Sequence, residues 1–166
     1  MPQTGILFSS LIFSPTVALS CLLAECEALW GLVGDRLGPL PFSHTRYYES
    51  EMGPDLNRIF LLFHPLSVSE WPETKTQAMD IENRYRVGEN RQVNIDPGLL
   101  RPYQLALLSS KNFSHRLPLA EGVFGEVTLL YQKGRFQALP WTYPDYQSPT
   151  FLAWLSAARK KYRHVS

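Results

Sequence analysis

Apolar and polar positions recur along this chain with two periods, and the changes between them mark out its elements. Residues 5–13, GILFSSLIF, are a near-continuous apolar run with one serine pair, the pattern of a central strand. Ser14 followed by Pro15 predicts a helix start, with serine as cap and proline at the first helical position. Val17, Leu22 and Leu29 then face a core as far as about Trp30. Gly31, Gly34 and GPLP at 38–41 end this helix and lead to a strand over about 42–50. GPD at 53–55 is a turn, and NRIFLLFHP at 57–65 is a strand with an apolar centre.

Ser69 caps a second helix with Glu70 and Glu73 in its first turn, and Trp71, Ala78, Ile81 and Tyr85 recur along one side of it. GEN at 88–90 breaks that helix. RQVNID at 91–96 then alternates as a strand, Val93 and Ile95 one way, Gln92, Asn94 and Asp96 the other. DPG at 96–98 has the residues of a type II turn, and a short helix is expected around 101–109. GVFGEVTLLYQKGRFQAL reads as a hairpin turning at QKGR, and LPWTYPDYQSP as an aromatic, proline-punctuated connection. Ser148 and Pro149 open a last helix that buries Phe151, Trp154, Leu155 and Tyr162.

The order β-α-β-β-α-β, then a helix, a hairpin and a helix, predicts an α+β fold. Its first six elements are a ferredoxin-like split βαβ unit with helices mainly on one sheet face, extended by the C-terminal hairpin and helix. Without repeats or linkers, residues 1–166 read as a single domain.

Composition changes this picture little. An apolar fraction of 45%, a charged fraction of 19% and a net charge of +1 belong to an ordinary globular chain. Positive charge is spread rather than gathered into a stripe, which argues against nucleic acid. The one basic run, Arg159–Lys161 with Arg163 and His164, complements the end of the last helix. Cys21 and Cys26, five apart on one helix, point to different sides and have no metal-site spacing. The apolar start resembles a signal peptide, but the first basic residue is Arg36 and Pro15 interrupts the run. No stretch reaches the ~20 apolar residues of a membrane span. A cytoplasmic protein is expected.

The chemistry lies in the polar positions. In HTRYYESEMG (44–53), a strand would set Thr45, Tyr47, Glu49 and Glu51 on one side. On the neighbouring strands Gln92, Asn94 and Asp96, and Glu126 and Thr128 in the hairpin, would share that open face. Such a face is either a wet surface or the floor of a site. Carboxylates that converge need neutralising cations. Lys111, His115 and Arg116 in SSKNFSHRL are the natural counter-charges. A divalent ion on Glu49, Glu51, Asp96 and Glu126 is the other solution, and oxygen ligands suit Mg²⁺ or Mn²⁺ rather than zinc. Phosphate-loop, dinucleotide and serine-hydrolase motifs are absent.

Four blocks, HTRYYESEMGP (44–54), VNIDPG (93–98), SKNFSHRL (110–117) and GEVTLLYQKGRFQALPWTYPDY (125–146), resemble the signatures of a prokaryotic family known as domain of unknown function 4416. The resemblance runs over about residues 5–160. It implies no activity, but its blocks contain Thr45, Tyr47, Tyr48, Glu49, Glu51, Asp96, Lys111, His115, Arg116, Glu126 and Thr128. The second helix keeps the family pattern at Lys75 and Glu82 and departs from it at Ala78 and Met79.

The leading expectation is an enzyme-like domain that binds a small anionic ligand. Lys111 and Arg116 would neutralise it, with Thr45, Asn94 and Thr128 as further contacts. Glu49, Glu126, His115 and Tyr47 would exchange protons, with or without Mg²⁺ or Mn²⁺. The alternatives are a non-catalytic sensor using the same residues, and a protein-interaction module using the aromatic strip 140–146.

Overall fold

A computed structural model describes residues 3–164. Its elements are β1 (Thr4–Phe13), α1 (Leu19–Trp30), β2 (Asp35–Pro41), α2 (Glu49–Met52), β3 (Asn57–Ser67), α3 (Glu73–Arg84), β4 (Val93–Arg101), β5 (Gln104–Ser109), β6 (Leu117–Ala120), β7 (Val123–Gln132), β8 (Arg135–Ala138), a 3₁₀ turn (Pro144–Gln147) and α4 (Pro149–Tyr162). The strands form one antiparallel sheet in the order β2-β3-β1-β4-β5-β7-β6, with β8 also paired to β7. The architecture is thus mixed α+β, with eight strands in one sheet and four helices among the described residues.

Alternation along the central strands divides the core in two. Leu7, Leu11, Ile59, Leu61, Ile95 and Leu99 point to one face, where Leu22 and Cys26 of α1 and Ala78 and Ile81 of α3 cover them. Ile6, Phe8, Phe60, Leu62, Leu100 and Leu107 point to the other, under Tyr146 and Phe151, Leu155 and Ala158 of α4. Helices α1 and α3 share one face as expected, but the expectation that the other face is left open is overturned. The last helix and the aromatic connection close over the second face, because Phe8 and Phe60 present an apolar surface that must be buried there.

Three local expectations also change. Residues 42–50 form no strand: β2 occupies 35–41 and its register with β3 ends at Pro41↔Asn57, so β3 has no residue left to pair with. The DPG sequence is no turn but lies within β4. Ser9↔Pro97 is a register pair, and β4 meets β5 only from Gly98 onward, so the missing proline N–H faces an unpaired edge. Residues 104–109 are a strand rather than a helix, since Leu105 and Leu107 serve one core while Ala106 and Leu108 serve the other. A run that short carries too few periods to separate helix from strand.

Two helix starts move as well. Ser14 turns its hydroxyl to Thr16, 3.0 Å away, and α1 begins only at Leu19. Ser69 pairs with Ser67 (2.8 Å), while Pro72 excludes Trp71 from helical backbone and delays α3 to Glu73. The β7–β8 hairpin and the Ser148 cap of α4, which accepts from the Phe151 N–H, agree with the sequence. Lys133 and Gly134 both have positive φ, as a tight hairpin turn demands.

Gly98 sits where β1, β4 and β5 come closest. An added Cβ would meet the Ala106 carbonyl at 2.6 Å, Leu107 Cδ2 at 2.7 Å and Phe8 Cδ1 at 2.9 Å. Gly98→Ala is expected to cost about 1–3 kcal/mol from overpacking, read as a lower urea midpoint at unchanged slope.

Candidate functional site

The ends of β1, β5 and β2 and the beginnings of β3, β4 and β7 meet at one end of the sheet. Around it lie the connection 42–56, the loop 110–116 and the segment 139–147. Each of the four family-like blocks has residues at this end. The β7 edge explains how the last segment is held: β6 pairs with residues 123–125 and β8 with 129–132, leaving a gap. Trp141 Nε1 donates to the Val127 carbonyl (2.7 Å) and Thr142 Oγ1 to the Thr128 carbonyl (2.6 Å), filling it.

One cluster centres on Arg91. Its Nε and Nη2 donate to the two oxygens of Glu51 (3.0 and 3.1 Å), and its Nη1 to Asn94 Oδ1 (3.0 Å). The Arg91 hydrogen bonds hold the Glu51 carboxyl below its usual range. Asn94 Nδ2 donates to Asp96 Oδ2 (2.9 Å), and Asp96 Oδ1 lies 3.5 Å from Lys75 Nζ. Lys75 and Glu82 reach this point from α3 around the unpaired stretch of β4. Glu82 Oε2 accepts the Ile95 N–H (2.7 Å) and Lys75 Nζ donates to the Ile95 carbonyl (3.1 Å), as a neighbouring strand would. Burial raises the Glu82 carboxyl above its usual range, and burial with Asp96 beside it raises the Tyr48 phenol.

A second cluster centres on Glu126, 6% exposed on β7. Its Oε2 lies 2.6 Å from His115 Nε2 and accepts from Arg116 Nε (2.9 Å), while Arg116 Nη1 donates to the Lys111 carbonyl (2.9 Å). The His115 ring stacks on Trp141, with centroids 4.9 Å apart and planes 16° from parallel. At the rim Lys111 Nζ donates to the Tyr47 hydroxyl (3.2 Å), joining residues 64 positions apart.

The expected residues therefore fall into three groups. His115, Arg116 and Glu126 meet, and so do Tyr47 and Lys111; Glu51, Asn94 and Asp96 are linked through Arg91. Thr45 accepts the Tyr47 N–H in an exposed turn (3.1 Å). Thr128 is fully buried in the bulge of β7, out of reach of a ligand. The four carboxylates do not converge. Residues 49–52 are a turn of helix, so Glu49 and Glu51 point apart rather than together: Glu51 turns to Arg91 and Glu49 to Arg46, 3.9 Å away. Among the described residues no three His, Cys, Asp or Glu side chains are grouped to hold a metal ion.

Sequence reading noted Lys75 and Glu82 only as family matches and gave no role to them, to Arg91 and Trp141, or to the buried ion pair of Arg58 with Asp145. Two signals were present. Lys75 and Glu82 are seven residues apart on the apolar stripe of Ala78 and Ile81, and Arg58 interrupts an apolar strand. Charge in such positions calls for a buried partner.

The 140–146 strip is mixed in exposure, with Pro140 and Pro144 exposed. Thr142, Asp145 and Tyr146 are buried and Trp141 is packed, while Tyr143 stands out at 54% exposure. No helix among the described residues is long and apolar enough to cross a membrane.

A family model described as a domain of unknown function (DUF4416) matches residues 4–162 of the chain. No curated protein and no solved structure matches it.

Proposed function

The chain belongs to the DUF4416 family, whose description carries no activity, so its function is read from the site, and we propose that it binds a small anionic molecule between the 44–51 segment and the 110–116 loop. The observation that carries this reading is the state of Lys111. Arg91, Arg116, Arg58 and Lys75 each have a carboxylate within 4 Å, whereas among the described residues Lys111 Nζ has only the neutral Tyr47 hydroxyl. An exposed, uncompensated ammonium at the rim suits a phosphate or carboxylate group.

The enzyme-like version of this reading rests on His115. Glu126 engages Nε2 and Trp141 holds the ring plane, so Nδ1 is the position for proton exchange with a bound molecule. A sensor without turnover would use the same residues. A divalent ion would need oxygen ligands from the bound anion itself, since the carboxylates here are committed to cations. The order β2-β3-β1-β4, with helical crossovers after β1 and β3, supports a ferredoxin-like core for the first half. The unpaired Cys21 and Cys26 support a cytoplasmic setting.

Thermal unfolding with inorganic phosphate, sugar phosphates and small carboxylates, each with and without Mg²⁺ or Mn²⁺, tests the proposal. A ligand at a hundredfold excess over its Kd is expected to stabilise the wild type by about 2.7 kcal/mol. Lys111→Met should lose most of that shift, and His115→Gln should keep it while losing any turnover. A shift that Lys111→Met leaves intact would remove Lys111 from the site, and no shift with any compound would overturn the reading.

A further inference from the structure

We infer that the molecule bound at this rim carries a flat aromatic ring next to its anionic group; the inference rests on the anion-binding reading above. The rim is unusually rich in rings left open to water. Tyr47 is 65% exposed, Phe113 64% and Tyr143 54%. Rings of this size are normally covered, and a group of them at one mouth marks a recognition surface.

Tyr47 and Phe113 are tied to the site residues rather than scattered. The Tyr47 ring centroid is 5.7 Å from Lys111 Nζ, and its edge meets Tyr48 at 5.1 Å. Tyr143 lies on the 139–147 segment, two residues from Trp141. Phe113, two residues beyond Lys111, packs edge-on to His115 at 5.4 Å, and His115 is in turn stacked on Trp141.

The backbone under Phe113 is tied down. A turn bond from the Arg116 N–H to the Phe113 carbonyl (3.1 Å) fixes the backbone under Phe113, and Arg116 is anchored on buried Glu126. A ring presented on such a base loses little freedom when a second ring stacks on it. The ammonium of Lys111 lies against Tyr47, and Phe113 follows two residues along the same loop, so a ring attached to an anion on Lys111 is taken to stack on one or both. An aliphatic anion would use Lys111 and leave the rings wet. The matching chemical class is an aryl phosphate or aryl carboxylate, or any larger ligand with a planar ring a bond or two from its anion.

Titration calorimetry with four probes tests this: phenyl phosphate and benzoate against methyl phosphate and acetate, on the wild type, Phe113→Leu and Lys111→Met. Phe113 is exposed, so Phe113→Leu is expected to fold normally. The wild type should bind each aromatic probe about tenfold more tightly than its aliphatic counterpart. Phe113→Leu should lose most of that preference with its aliphatic affinities unchanged, and Lys111→Met should weaken all four. Equal aromatic and aliphatic affinities in the wild type would overturn the ring inference and leave the anion-binding reading standing. A preference untouched by Phe113→Leu would also overturn it, because the ring would then be recognised elsewhere. Binding of none of the four would overturn both.

Discussion

Asp145→Ala is expected to destabilise the protein by about 3–5 kcal/mol, a fall in melting temperature on the order of 10 °C. Arg58 is a charged residue inside an apolar strand, 6% exposed, and Asp145 is its counter-ion, 7% exposed. The rings of Phe42, Phe60 and Tyr146 surround the guanidinium at 4.8, 5.1 and 5.4 Å. They offset part of its charge but accept no ordinary hydrogen bond, and Arg58 Nε is already buried without a partner. Removing Asp145 leaves a buried cation beside a small cavity of about 40 Å³, lined by Leu40, Phe42 and His44 among others. The double variant Arg58→Met with Asp145→Ala should recover most of the loss, since it removes the charge together with its partner. Urea unfolding of the three variants decides it. A loss below about 1 kcal/mol in Asp145→Ala would show that water reaches Arg58 and that the pair does not pin the 139–147 segment.

The second large effect is expected at Glu82, where substitution by Ala and by Gln should differ. Glu82→Ala deprives the Ile95 N–H of its acceptor and Lys75 and Arg91 of a neighbouring charge at the open edge of β4. The loss should be about 1–3 kcal/mol, because the Ile95 N–H is left a buried donor with no acceptor. Glu82→Gln keeps an acceptor for Ile95. Burial raises the folded carboxyl above its ordinary value of 4.5. The folded state therefore holds that proton more firmly than the unfolded chain does. The resulting stability is fully present below about pH 4.5 and is lost as pH rises through the raised folded value. Glu82→Gln, uncharged throughout, should remove that decline and be no less stable than the wild type at pH 7. Unfolding curves between pH 4 and 8 give the answer. If Gln were as damaging as Ala at pH 7, the attraction of Lys75 and Arg91 would outweigh burial, and the carboxylate would be the stabilising form.

Arg58 and Asp145 meet from distant parts of the chain, and Glu82 serves a strand outside its own helix; that marks what sequence reading could reach. The strands over 57–65 and 91–96, the QKGR hairpin and the Ser148 cap were legible because their signals are local: a period of two, a turn dipeptide, a capping hydroxyl. The His115–Arg116–Glu126 cluster was partly legible, since basic residues ten or eleven positions from a strand glutamate were expected as its counter-charges. Residues 44–51 were misread because alternation alone cannot tell a strand from a loop ending in one helical turn. That choice depended on whether β3 had an edge left to offer.

By itself, then, the sequence determined the mixed α+β class, the inward and outward residues of the central strands, the hairpin and the family to which the chain belongs. Tertiary structure alone decided that α4 and the aromatic segment close the second face of the sheet, and that α3 supplies Lys75 and Glu82 in place of a strand. It likewise decided that the carboxylates meet arginine and lysine rather than one another. The physical reason is range. Periodicity, capping and turn chemistry act over a few residues, whereas burial and charge compensation are settled among whichever groups the completed sheet brings together.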